Sequence, residues 1–187
     1  RVDSGVRQGD IVLSFNNLAN VLMARRDAVG AEPLMHEALE GFKRIHGAEH
    51  ARVAIALNNL GMVAETLGRL DEAEDYLEQA LAMRQRLFGD KNPEVAIAKH
   101  NLANFHFKKG DAAMAEPLFH DAVEIAAAVL SADHAHTAIF RGNYGRCLQK
   151  LEKQEDALAQ LEAAYPVLKK VFGDKSERAQ VVIRGLA

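Results

Sequence analysis

The tripeptide Asn17-Leu18-Ala19 returns as Asn59-Leu60-Gly61, Asn101-Leu102-Ala103 and Asn143-Tyr144-Gly145, a spacing of 42 residues kept three times without a slip. A fixed period of this length means that each unit buries its apolar face against its neighbours rather than around one central core. Architecture is therefore constrained before any local element is assigned. Four units use nearly all of the 187 residues. They place repeat 1 at 9–50, repeat 2 at 51–92, repeat 3 at 93–134 and repeat 4 at 135–176, with 177–187 as a partial fifth repeat or capping helix.

Within each unit the apolar residues fall at helical spacing in two blocks separated by a short turn, as in Val53-Ala56-Leu57-Leu60-Val63-Ala64-Leu67, then Gly68-Arg69, then Ala73-Tyr76-Leu77-Ala80-Leu81. Each unit is thus a helical hairpin. The pattern predicts first helices over 9–25, 51–67, 93–109 and 136–151, and second helices over 28–45, 70–88, 112–130 and 155–172. Gly68 and Gly110 suit left-handed stops at first-helix ends, and Asp71 and Asp111 suit caps or first-turn carboxylates. Arg26 and Glu152 occupy the glycine column in the other two units, so their turns are expected to be less sharply specified. Pro166, in the middle of the fourth second helix, predicts a kink, whereas Pro33 and Pro117 lie nearer their helix starts and should be better tolerated.

Small residues recur in three columns: Ala31, Ala73, Ala115 and Ala157; Ala38, Ala80, Ala122 and Ala164; Ala19, Gly61, Ala103 and Gly145. They let helix axes approach closely. Leu18, Leu60, Leu102 and Tyr144, with Met35, Leu77, Phe119 and Leu161, are expected to fill the gaps between them.

This layout resembles the tetratricopeptide repeat, and its 42-residue period the kinesin-light-chain variety. The hallmarks are Asn-Asn-Leu-Ala at 16–19, Asn-Asn-Leu-Gly at 58–61, Ala-Glu-Pro-Leu at 31–34 and 115–118, and the loops Gly89-Asp90-Lys91-Asn92-Pro93 and Ala132-Asp133-His134. The resemblance covers almost the whole chain and implies an all-α fold, a right-handed α-solenoid (superhelix) of tandem hairpins. It is less specific for function, because such repeats occur in scaffolds and in sensor regions of multidomain proteins. Nothing in the chain resembles the heptad segment that attaches kinesin light chains to a motor.

In such arrays the first helices line a concave groove, which by helical steps would hold Leu13, Asn16, Asn17, Asn20, Met23 and Ala24; Ile55, Asn58, Asn59, Met62, Glu65 and Thr66; Ile97, His100, Asn101, Asn104, Phe107 and Lys108; and Ile139, Gly142, Asn143, Arg146, Gln149 and Lys150. A carboxamide both donates and accepts, so the column Asn17, Asn59, Asn101 and Asn143 can pair with the backbone of an extended peptide, as the resemblance also implies. The same residues could instead bond a neighbouring helix and hold the array together. A clamp for a chain-terminal carboxylate would need Lys one turn before the groove Asn, where Leu13, Ile55, Ile97 and Ile139 stand. Apolar entries with Met62 and Phe107 as walls suit a bulky anchor, and Arg146, Lys150 and Arg184 suit acidic residues on the same partner.

Net charge of −3 leaves no footprint for nucleic acid, although residues 135–187 are locally basic, with nine Lys/Arg against six Asp/Glu. The longest apolar runs, such as Ile125 to Leu130, are far short of a membrane span. The single Cys147 fits a reducing, cytoplasmic compartment and is expected to pack as a small apolar residue. His46-Gly47-Ala48-Glu49-His50 spells a zinc-peptidase string, but Gly47 falls at a helix end, where the two imidazoles cannot share a helical face. His134 and His136 read as polar loop surface. No catalytic, metal or cofactor constellation is expected. The expected activity is non-catalytic docking of a protein or peptide ligand with an apolar or aromatic anchor and acidic residues. The alternative is a structural, self-assembling or sensor segment of a larger multidomain protein, with end-to-end association or a groove filled in cis. The chain starts and stops out of phase with its repeat, which suggests a segment of something longer.

Overall fold

The computed structural model describes residues 4–186, with side chains from residue 8 onward. Among these residues all regular structure is helical: α1 (Ser4–Ala24), α2 (Ala28–His46), α3 (Ala51–Thr66), α4 (Leu70–Phe88), α5 (Pro93–Lys109), α6 (Ala112–Val129), α7 (Ala135–Lys150), α8 (Gln154–Phe172) and α9 (Glu177–Leu186). The hairpins pack as an α-solenoid, in two compact units. Arg1–Gly89 holds α1–α4 and Asp90–Ala187 holds α5–α9.

In both units the closest packing joins the two helices of a hairpin, then the second helix of one hairpin to the first of the next, α2 to α3 and α6 to α7. First helices also touch each other, α1 to α3, α5 to α7 and α7 to α9, whereas the second helices have no comparable packing. A layer whose members approach more closely than the layer behind it must lie on the inner side of the bend. In each unit that layer is the first helices.

The small columns account for the close approaches. The eight second-helix alanines are at most 1% exposed, and a Cβ at Gly61 or Gly145 would lie 2.7 Å from Leu77 or Leu161 and 3.2 Å from a backbone carbonyl. Met35, Leu77, Phe119 and Leu161 fill the space between, all 2% exposed or less. Leu60, Leu102 and Tyr144 are buried too, but Leu18 is 50% exposed. Leu60 and Leu18 share a column, yet only the former is sealed among its neighbours.

All four hairpin turns close alike. The N–H groups of Asp27, Arg69, Asp111 and Lys153 donate to the carbonyls of Leu22, Ala64, His106 and Leu148, five residues back, at 2.9–3.0 Å. This bond needs a left-handed residue just before it. Gly68 and Gly110 supply one, and so do Arg26 (φ 64°) and Glu152 (φ 61°). The expectation of looser turns at 26 and 152 is therefore corrected: packing imposes the same turn, at a local strain of about 1–2 kcal/mol per residue. The loops between hairpins repeat the pattern, with Gly47, Gly89 and Gly173 at φ 75–88° and Ser131 in their column at φ 111°. Ser131 is held there by the hydroxyl of Thr137, which donates to its carbonyl at 2.8 Å. Ser131→Gly and Glu152→Gly should each raise stability by about 0.5–1 kcal/mol, since relief of strain outweighs the added freedom of the unfolded chain. Thermal melts check this, and an unchanged midpoint would count against the strain.

α8 runs through Pro166 without interruption, so the proline does not break the helix. Pro33 and Pro117 are each the sixth residue of their helices, two residues past Ala31 and Ala115, whose N–H groups already bond back to the caps. The carbonyls of Val29 and Ala113 lose their donors there, but both residues are exposed and water can serve them. α9 packs against α8 and α7, and its Leu186 joins the last apolar cluster.

Repeats 1 and 3 resemble each other more than their neighbours. Asp27 and Asp111 cap their own second helices, accepting from Gly30 N at 2.9 Å and Met114 N at 3.1 Å. In repeats 2 and 4 the same column is basic and reaches back to the preceding hairpin instead. Arg69 grips Glu32 through both nitrogens at 2.6 and 2.8 Å, and Lys153 lies 3.4 Å from Glu116. The hydrogen bond from Arg69 holds the Glu32 carboxyl below the usual carboxylate range. The glutamates are those of the two Ala-Glu-Pro-Leu motifs, so the true period is a pair of hairpins, 84 residues.

Candidate functional site

The inner faces of the two units carry the residues that the sequence singles out. In the first unit, Asn59 reaches from α3 to α1, donating its amide to the carboxamide oxygens of Asn16 at 3.3 Å and Asn20 at 3.4 Å. Asn58 is only 6% exposed, its amide turned to the sulfur of Met62 at 3.7 Å. Ile55 and Met62 project beside these amides, 39% and 46% exposed, and Asn17 is exposed on α1.

In the second unit, Asn143 repeats the gesture of Asn59. Its amide nitrogen lies 2.9 Å from Nε2 of His100, in the Asn16 column. The His100 ring stacks on Phe140 with centroids 4.2 Å apart, meets the edge of Phe119 at 5.7 Å, and has the Asn104 amide 3.2 Å from its ring nitrogens. It is buried. Burial is the main cause that pushes its pKa down to about 4; a hydrogen bond with Asn101 opposes the shift and His136 adds to it. Asn58 and His100 therefore form the floor of the inner layer and not groove surface. Of the two roles open to the asparagine column, the helix-to-helix bond is made in both units, while Asn59, Asn101 and Asn143 remain half-buried and accessible.

Phe107 lies half-buried, its edge toward Phe119 at 6.4 Å and the guanidinium of Arg146 over its face at 5.5 Å. Beyond Arg146 the inner face opens into a cleft of about 250 Å³, walled by Ile139, Leu168, Val181 and Val182 and rimmed by Asn143, Arg146, Glu177 and Arg178. Gly142 leaves room at its floor, where repeats 1 to 3 carry Asn16, Asn58 and His100. Lys150 and Arg184 are exposed but do not line it. Arg178 does, from α9. Sequence reasoning passed over it, although the 42-residue column arithmetic sets Val181 opposite Ile139 and Val182 opposite Phe140.

The remaining candidates fall where the sequence puts them. α2 ends at His46, Gly47 has φ 88°, and His50 caps α3 by accepting from Arg52 N at 3.1 Å, so the zinc-peptidase string spans a helix break. The two imidazoles stack face to face at 4.3 Å, and Arg86 holds Glu49 at 2.9 and 3.2 Å. His134 caps α7 in the same way as His50. Cys147 is fully buried with its sulfur 3.4 Å from the carbonyl of Ala112, and burial pushes the thiol up to about 11. Among the described residues no helix is long and apolar enough to cross a membrane.

A family model described as tetratricopeptide repeat matches residues 10–86 and 94–170, two spans whose starts lie 84 residues apart. The chain also superposes on solved structures. The crystal structure of BtubC (BKLC) from P. vanneervenii matches with a TM-score of 0.82 and 20% identity, over 98% of this chain and 73% of that one. A Podosopora anserina putative kinesin light chain with nearly identical TPR-like repeats gives 0.78 at 18% identity, over 100% and 86%. The apo form of RapI gives 0.75 at 14%, over 94% and 61%. At these identities the likeness is one of fold. No curated protein matches the sequence.

Proposed function

Because the chain belongs to the tetratricopeptide repeat family, of the 42-residue kinesin-light-chain-like type, we propose that it is a non-catalytic protein-interaction module that takes an extended peptide segment on its first-helix faces. The observation that carries this reading is the pairing, on each inner face, of half-buried carboxamides with accessible apolar side chains: Asn59 beside Ile55 and Met62, and Asn143 beside Ile139. Carboxamides satisfy a peptide backbone whatever its sequence, and the apolar residues favour a bulky anchor. Arg146 and Lys150 favour acidic residues near it.

Selection from a random peptide library displayed on phage tests the reading. Enriched peptides should combine an apolar or aromatic residue with Asp or Glu. Changing Asn59 to Ala in the first unit, or Asn101 to Ala in the second, should weaken a peptide enriched on that unit about tenfold, the loss of one or two buried hydrogen bonds, with little change in helicity. Unchanged affinity would overturn the groove.

One observation favours a second reading, self-association. Ile11, Leu18 and Val21 form an exposed stripe on α1, 50–53% accessible, whereas their counterparts Val53, Leu60 and Val63 are at most 2% exposed. Light scattering distinguishes the two: mass that grows with concentration, and ceases to do so in Leu18→Glu, would favour assembly.

A further inference from the structure

The cleft between α7, α8 and α9 differs from the rest of the inner face in charge and in depth. Two guanidiniums flank it, each laid over an aromatic ring: Arg146 over Phe107 at 5.5 Å and Arg178 over Phe172 at 4.5 Å. Neither makes an ion pair with a described carboxylate. Stacking limits the rotamers that a long side chain must give up on binding, so both cations are partly pre-organised. Between them lie four aliphatic side chains and the space left by Gly142. Gly142 has a second role, since a Cβ there would lie 3.0 Å from the Val182 side chain and crowd it. Glu177 on the rim offsets one of the two positive charges, which leaves the cleft net cationic.

We propose that this cleft is a subsite for one apolar side chain followed by an acidic one, the apolar group on Ile139, Leu168, Val181 and Val182 and the carboxylate between Arg146 and Arg178. The assignment rests on the peptide-docking reading and gives it a polarity, with the acidic part of the segment at the α9 end. A volume of about 250 Å³ suits a single Leu- or Met-sized group with its backbone, not a folded domain. Forked guanidiniums match a carboxylate's geometry.

The probe is the acetylated, amidated peptide Gly-Ser-Leu-Glu-Ser-Gly, titrated into the isotopically labelled chain and followed by amide NMR shifts. Shifts should cluster in α7, the end of α8 and α9. Replacing Glu in the probe by Gln, or Leu by Ser, should weaken binding about tenfold, as should Arg146→Gln or Arg178→Gln in the protein. Equal binding of the Gln probe, retention by both Arg variants, or absence of shifts at millimolar probe overturns the subsite. So does binding only when the probe's own C-terminus is left as a free acid. Library-selected peptides that depend on Asn59 and Asn101 but ignore both Arg variants would overturn the subsite and leave the docking reading standing. Peptides indifferent to the asparagines, beside a probe that binds as described, would do the reverse.

Discussion

Phe119→Ala should destabilise the second unit by about 3–5 kcal/mol, among the largest losses available to a single substitution in this chain. Phe119 is fully buried in α6, and its ring is shared by two inner-face residues, His100 at 5.7 Å and Phe107 at 6.4 Å. Truncation removes the apolar transfer term and leaves a cavity in a cluster rich in alanine, whose short side chains have little reach to fill it. Repeat arrays distribute stability through nearest neighbours, so the damage should be local. Hydrogen exchange should quicken in α5, α6 and α7, with α1 and α2 little changed. A loss under about 1 kcal/mol would show that the site relaxes more than its alanine walls allow.

Lowering the pH should cost the fold roughly 3 kcal/mol through His100 alone. Its pKa falls from 6.5 to about 4 in the native state, so the unfolded chain takes up the proton first. This contribution is fully present above pH 6.5, is lost as pH falls toward 4, and is level below that. Protonation would also leave both ring nitrogens as donors, with the Asn143 amide nitrogen 2.9 Å from Nε2. His100→Asn, the residue that repeats 1 and 2 carry in this column, removes the titration. Urea midpoints taken between pH 7 and 4 should fall less steeply in that variant. Parallel slopes would show that the native ring takes up its proton as readily as the unfolded one.

The fold was legible because its signals are repeated. Ala31, Ala73, Ala115 and Ala157 each face the same demand, so one register decides four helices at once. Helix ends were read to within a few residues for the same reason, apart from α1, which begins at Ser4 ahead of the repeat. What escaped was whatever depends on a neighbour's presence. Leu18 carries the same letter as Leu60 and Leu102, yet it is half exposed where they are buried. Arg26 and Glu152 look like poor turn residues, yet take the glycine conformation because helices on both sides fix the chain path. On the inner face, spacing identified the asparagines but not their preference for Asn16, Asn20 and His100, which depends on distances between helices. Arg178 was missed because α9 was read as a lid and not as a wall.

The alternation of self-capping aspartates with back-reaching cations has a consequence for how such a chain can grow or shrink. Remove the 42 residues of α3 and α4, and Asp111 would follow Glu32 where Arg69 now stands, setting two acids side by side. Copy 84 residues, and Glu32 with Arg69 and Glu116 with Lys153 all travel with their partners. A tandem gene duplication that adds hairpins in twos is electrostatically silent, whereas one that adds an odd number leaves a mismatch for later mutation to repair.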